Sequence, residues 1–189
     1  GCNTAIMRAQ IKDNQLINKE LLYKASPNTP VGYHFGSRIV FDKEGYLYFT
    51  IGDRGEEDIN PQDLTRDGGK VYRLFDDGRI PENNPFYNTP NAKKAIYTYG
   101  NRNPQGIHPE TGEIWSHEHG PKGGDEINII KAGENYGWPK VSYGVNYVGT
   151  KISDYTTLPG IEPPIHYWVP SIAPSGMAFI SSSVYPEWK

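Results

Sequence analysis

A single cysteine, Cys2, stands among 189 residues. No disulfide within the chain and no cysteine-built metal centre can form. Hydrophobic residues make up only 36%, and no apolar run approaches the ~20 residues of a membrane-spanning helix. Neither sign of charge dominates. The net charge of −3 gives no electrostatic footprint for nucleic acid or an anionic membrane. No segment keeps helical periodicity over two turns, and residues 60–67 have room for one short turn. A Gly-x-Gly-x-x-Gly after a strand is also missing, which argues against a nicotinamide dehydrogenase.

What is present is aromatic and turn-forming. Aromatic residues reach 13%, with 14 Tyr, 21 Gly and 16 Pro. That profile predicts a turn-rich all-β protein whose core leans on aromatic side chains. Strands are expected at residues 4–11 and 20–24 around the polar turn Lys12-Asp13-Asn14. Ser37–Phe41 and Tyr46–Ile51 read as a hairpin around Asp42–Gly45. Further strands are expected at 70–74, 95–99, 112–116, 126–130 and 177–180.

The pattern repeats. Glu44-Gly45-Tyr46-Leu47-Tyr48 and Thr111-Gly112-Glu113-Ile114-Trp115 begin 67 residues apart. Each leads into a loop of glycines and charged residues, then into another strand. A sheet-sized unit recurring with long loops points to propeller blades rather than a sandwich. Two to three blades fit this length, fewer than the roughly four to eight of a closed propeller. The chain also starts without Met, and a piece of a longer protein is expected.

The loops carry the chemistry. Gly100–Gly106, Glu118-His119-Gly120-Pro121, Gly124–Asn128 and Glu134–Pro139 place an arginine, acids and aromatics where backbone can approach a ligand closely. With His34–Arg38, Gly52–Gly55, Gln62–Leu64, Gly69–Leu74 and Ile80–Phe86, these motifs occur in one order and spacing. In that order the sequence resembles the soluble sugar dehydrogenases that use pyrroloquinoline quinone, the glucose/sorbosone dehydrogenase family, and within it the bacterial aldose sugar dehydrogenases. The resemblance runs nearly end to end. It implies a six-bladed β-propeller of which residues 1–189 supply roughly the middle half, without the first and last blades.

The resemblance assigns roles to particular residues. His34 matches the general base that takes the proton of the sugar C1 hydroxyl, and imidazole suits that task because its pKa lies near working pH. Asp53 matches the acid that orients this histidine; its alternative is a turn residue. Arg102 and Asn103 match contacts to the quinone cofactor, where a guanidinium would stabilise negative charge; a loop salt bridge and a turn starter are their alternatives. Gly120 and Pro121 match positions whose backbone carbonyls bind the cofactor's Ca²⁺. Glu126 and Tyr136 match a second, structural Ca²⁺ site, Tyr136 through its backbone oxygen. Tyr147 and Trp168 would line or cover the flat cofactor, though both types are also common in aromatic cores. Gln105–Gly112 is about two residues shorter than the family turn, which places Ile107-His108 in a tightened hairpin.

The implied activity is oxidation of an aldose, a small-molecule substrate, to its lactone, with electrons passed to an external acceptor. Periplasmic or secreted localisation is implied too, and a homodimer is left open. The family's remaining cofactor contacts lie in the missing blades, so this chain alone is expected to be inactive. Two other readings stand beside this one. A calcium-dependent lactonase would use carboxylates and Asn around one ion and a metal-activated water. A non-catalytic sugar-binding propeller would use the same scaffold without chemistry.

Overall fold

A computed structural model describes residues 1–188. It is all-β apart from a 3₁₀ turn at Pro186–Trp188. Strands β1 (Ala5–Lys12) and β2 (Gln15–Lys24) form a two-stranded hairpin. Strands β3 (Ile39–Phe41), β4 (Tyr46–Ile51), β5 (Lys70–Phe75) and β6 (Ile96–Tyr99) form a four-stranded antiparallel sheet in that order. Strands β7 (Pro104–Glu110), β8 (Glu113–Glu118), β9 (Asp125–Ile129) and β10 (His166–Trp168) repeat the arrangement. These are two consecutive propeller blades. The repeat at residues 44 and 111 is borne out, because β4 and β8 are equivalent second strands.

Alternation along β4 explains the packing. Leu47, Phe49 and Ile51 face the β1–β2 hairpin in one core that also contains Ile6, Tyr72, Leu74 and Ile96. Tyr48 points to the opposite face and joins Val71, Ile107, Ile114, Ile130 and Tyr136 in a second core between the blades. Side chains of a strand alternate between faces, so a blade packed on both sides buries nearly every residue of β4 and β5. Aromatic rings do much of the filling. Phe49 stacks on Tyr72 at 4.7 Å and 6°, and Tyr23 packs on both.

Two-residue turns close the hairpins. Asp13-Asn14 (φ 49° and 59°) and Thr111-Gly112 (φ 50° and 88°) have the positive angles of a type I′ turn. Ile107-His108 do lie in a tight hairpin: they sit inside β7, opposite Ser116 and Trp115, and a two-residue turn at 111–112 closes it. Two strand expectations need correction. β2 starts at Gln15, earlier than the expected 20. Residues 177–180 form no strand. Phe179 instead packs on His108 and Trp115, and no neighbouring strand among the described residues completes a ladder there.

Strand direction puts the chemistry at one end. The segment before β3, the loops after β4 and β8, and the β6–β7 connection all emerge at the same end of the blades. The chain after β9 climbs back along β6, through a parallel Tyr99–Asn135 bridge. Tyr136 N donates to Tyr99 O and Trp138 N to Gly100 O, which delivers Trp138 to that end.

Candidate active site

His34 and Asp53 meet. His34 Nδ1 lies 2.7 Å from Asp53 Oδ1. Asp53 is fully buried, and a buried carboxylate needs donors around it. Gly55 N donates to Oδ1 at 2.8 Å and Trp138 Nε1 to Oδ2 at 2.9 Å. With the carboxylate accepting at Nδ1, the imidazole keeps its proton there and leaves the Nε2 lone pair free.

The local sequence forces this meeting. His34 holds φ 53°, an uncommon angle that His tolerates better than most residues. The 34–36 segment crosses directly over Gly52. A Cβ there would come within 2.4 Å of His34 O and 2.7 Å of Asn103 Oδ1, so only glycine fits. Buried Arg54 braces the approach from below, donating to Val31 O at 2.8 Å and to Tyr33 O under the Phe35 ring.

His34 opens onto a cavity of about 370 Å³ lined by Tyr33, Gly55, Glu57, Arg102, Pro121, Asn146 and Tyr147. That is within the roughly 300–1,000 Å³ of small-molecule sites. The structure therefore brings His34, Arg102, Pro121 and Tyr147 to one cavity. Tyr147 is 73% exposed and forms its rim. Burial and the nearby Asp53 raise the Glu57 carboxyl above its usual range.

Arg102 is the cation of this cavity. Its Nη1 donates to His119 O at 3.0 Å and Gly120 O at 2.7 Å, and its guanidinium lies 5.3 Å from the Trp138 ring. Its Nε is buried without a partner. A free buried donor beside a cavity suits an anionic ligand. An acidic, flat cofactor such as pyrroloquinoline quinone fits these residues.

A void of about 10 Å³ adjoins the cavity and shares Arg102 and Pro121 with it. That is room for about one water-sized particle. Glu118, Gly120, Glu126 and Tyr136 also line it. Glu118 is satisfied by Asn101, Asn128 and the Arg102 N–H. The Glu126 carboxyl has only Asn128, at 3.2 Å. Burial first, then the Glu118 charge, push it up to about 8. Buried Glu118 and half-buried Glu126 face the same void as the Arg102 guanidinium, and two carboxylates side by side suit a divalent cation. The Tyr136 hydroxyl bonds Ile129 O and Lys131 N, leaving its backbone oxygen for an ion.

The two expected Ca²⁺ positions thus fare differently. Glu126 and Tyr136 share a void that fits an ion. The Gly120 carbonyl is already held by a guanidinium, so a cation on it does not fit this arrangement. Among the described residues no cluster of three or more His, Cys, Asp and Glu exists, so any site must draw on carbonyl oxygen.

Two expected contacts lie elsewhere. Asn103 Oδ1 accepts from Gly36 N at 3.1 Å, bracing the crossing over Gly52, and it is not on the cavity wall. Trp168 sits on β10 opposite Asp125, packed on His166, and lines neither space. Sequence reasoning missed Glu57, Asn146 and the role of Trp138. Trp138 belongs to the Glu134–Pro139 motif, but nothing in that motif separates an indole donor from an ordinary core ring.

The fold and the site define a β-propeller with a ligand-sized cavity at one end of its blades, served by a histidine paired with a buried carboxylate and by an arginine. The family described as Glucose / Sorbosone dehydrogenase matches residues 1–189, and the chain belongs to that family. It is 41% identical over 192 residues to aldose sugar dehydrogenase YliI of Escherichia coli K12, covering 98% of this chain and 52% of that protein. The soluble aldose sugar dehydrogenase of Escherichia coli in the apo form superposes with a TM-score of 0.94 at 39% identity, over 99% of this chain and 55% of that one. The pyrroloquinoline quinone-bound aldose sugar dehydrogenase of Streptomyces coelicolor superposes with a TM-score of 0.75 at 29% identity, over 94% and 50%. The chain spans about half the length of these relatives. No helix of the described residues is long and apolar enough to cross a membrane.

Proposed function

We propose that the protein of which these blades are part is a quinone-dependent aldose dehydrogenase, oxidising the C1 hydroxyl of a sugar to a lactone. One observation carries the reading: His34, paired with buried Asp53, opens onto the same cavity as Arg102 and Tyr147. Residues far apart in sequence converge there, which supports the reading.

Pyrroloquinoline quinone, when bound, would supply an ortho-quinone that accepts hydride. Everything else falls to the chain. His34 Nε2 takes the hydroxyl proton as the C1 hydride leaves. Asp53 fixes the tautomer and stabilises the imidazolium so formed. Arg102, on the cavity wall, would hold the cofactor's acidic groups. Tyr147 and Asn146 close the rim over the cavity. Burial of Asp53 keeps water from its carboxylate, which strengthens the His34–Asp53 interaction.

Ca²⁺ belongs to the same proposal, held in the void by Glu118, Glu126 and the Tyr136 carbonyl. Gly120 and Pro121 serve an ion only if Arg102 turns toward the cofactor, and no step here is routed through one. The remaining cofactor contacts come from blades outside residues 1–189, completing a six-bladed ring. An external electron acceptor and export to the periplasm complete the reading.

The test is reconstitution of the full-length protein with Ca²⁺ and pyrroloquinoline quinone, followed by dye reduction with glucose and other aldoses and detection of lactone. Reduction confined to the reconstituted sample supports the reading. Lactone hydrolysis without cofactor would support a lactonase instead.

A further inference from the structure

Asp53 has two oxygens with different partners. Oδ1 serves His34 Nδ1 at 2.7 Å and Gly55 N at 2.8 Å. Oδ2 has one partner, the indole Nε1 of Trp138 at 2.9 Å, 85 residues away in sequence. Trp138 is itself fixed. It is 6% exposed, its N–H donates to Gly100 O at 2.8 Å, and its carbonyl accepts from Gln62 Nε2 at 2.8 Å. Gln62 and Asn135 exchange two further hydrogen bonds. The indole therefore reaches Asp53 from a rigid support, with its ring beside Arg102.

We propose that Trp138 is a positioning residue for His34: its indole N–H clamps the Asp53 carboxylate and shares its charge, setting the orientation and the basicity of the imidazole. The inference rests on the reading of His34 as the base. A donor on Oδ2 draws negative charge away from Oδ1. Without it the carboxylate presents more charge to His34 and favours the imidazolium. Loss of the donor also frees the carboxylate to rotate, loosening the ring it orients. The other charged groups facing the pair are Glu57, Arg54 and Arg102, with Tyr33 edge-on to the His34 ring. All of these remain when Trp138 is changed, so a difference measurement isolates the indole.

The experiment is an NMR titration of the His34 ring in the cofactor-free full-length protein, which needs no turnover. Trp138→Phe keeps a ring and removes the donor. It should raise the His34 pKa by about one unit and move the acid limb of kcat in the reconstituted enzyme by the same amount, with KM little changed. Trp138→Gln, which restores a donor, should return the value toward that of the wild type. In an Asp53→Asn background, Trp138→Phe should shift nothing further. An unmoved His34 pKa in folded Trp138→Phe overturns the proposal, as does an equal shift with and without Asp53. If Trp138→Phe does not fold, the wild-type indole N–H resonance decides. It must move as His34 titrates, and a static resonance overturns the inference. Failure of the underlying reading looks different: His34→Ala would keep dehydrogenase activity while the NMR coupling stayed intact.

Discussion

Asp53→Asn removes one charge and almost no volume, which makes it the sharpest probe of the pair. In the native site three N–H groups converge on two carboxylate oxygens. An amide has one oxygen. If it faces His34 and Gly55, its NH₂ confronts the Trp138 indole N–H. If it faces Trp138, its NH₂ confronts the Gly55 N–H and donates to His34 Nδ1, driving the proton onto Nε2 where the base is needed. Either orientation leaves one buried donor without an acceptor, at about 1–3 kcal/mol of stability. Catalysis loses more. An imidazolium whose charge centre lies about 4 Å from that of a carboxylate is stabilised by about 4 kcal/mol at an effective dielectric near 20. At about 1.4 kcal/mol per decade this is roughly a thousandfold in kcat. The assay is dye reduction by the reconstituted full-length variant, with cofactor affinity measured separately by absorbance. A loss of kcat below about tenfold in a folded, cofactor-loaded variant would refute the reasoning, since that charge would then not support the base.

Three further outcomes follow from the geometry. Gly106→Ala puts a Cβ within 2.0 Å of the buried His117 ring, so thermal unfolding should show a loss of about 1–3 kcal/mol. Most of that loss should return in Gly106→Ala/His117→Ala. Glu126, raised to about 8 by burial and Glu118, binds more protons folded than unfolded between its ordinary pKa near 4.5 and 8. Calcium-free stability should therefore fall as pH rises through that window, and added Ca²⁺ should raise Tm more at pH 8 than at pH 6. A calcium effect independent of pH would contradict this account. Tyr147→Ala, at an exposed rim, should leave Tm unchanged within about 0.5 kcal/mol while weakening cofactor binding; a large drop in Tm would mean the residue is structural.

Much of the architecture was legible because blade hairpins carry their own signals. Tyr46–Ile51 is a run of aromatic, apolar and β-branched residues, Asp42–Gly45 turns, and the repeat at 111 predicts a second blade. β7 was hidden because Pro104, Gly106 and Pro109 read as loop. It lies at the end of its sheet's strand order, and an edge strand tolerates proline on its unbonded side. β10 is three residues long and pairs only with β9, too short for a periodic signal. Residues 177–180 do have the composition of a strand. A strand needs a neighbour, and composition does not say whether one is present. In the site, His34 and Asp53 were nameable from resemblance, but their 2.7 Å approach depends on the crossing over Gly52. Trp138 could not be read at all, because its donor is one atom of a ring that looks like core.

The most direct measurement is a single-turnover mixing experiment on the reconstituted full-length protein, following cofactor absorbance when aldose is added to wild type and to His34→Ala. The account predicts rapid reduction in the wild type, and in the variant a cofactor that binds yet stays oxidised on that timescale. Reduction of the variant at the wild-type rate would contradict the assignment of His34 as the base.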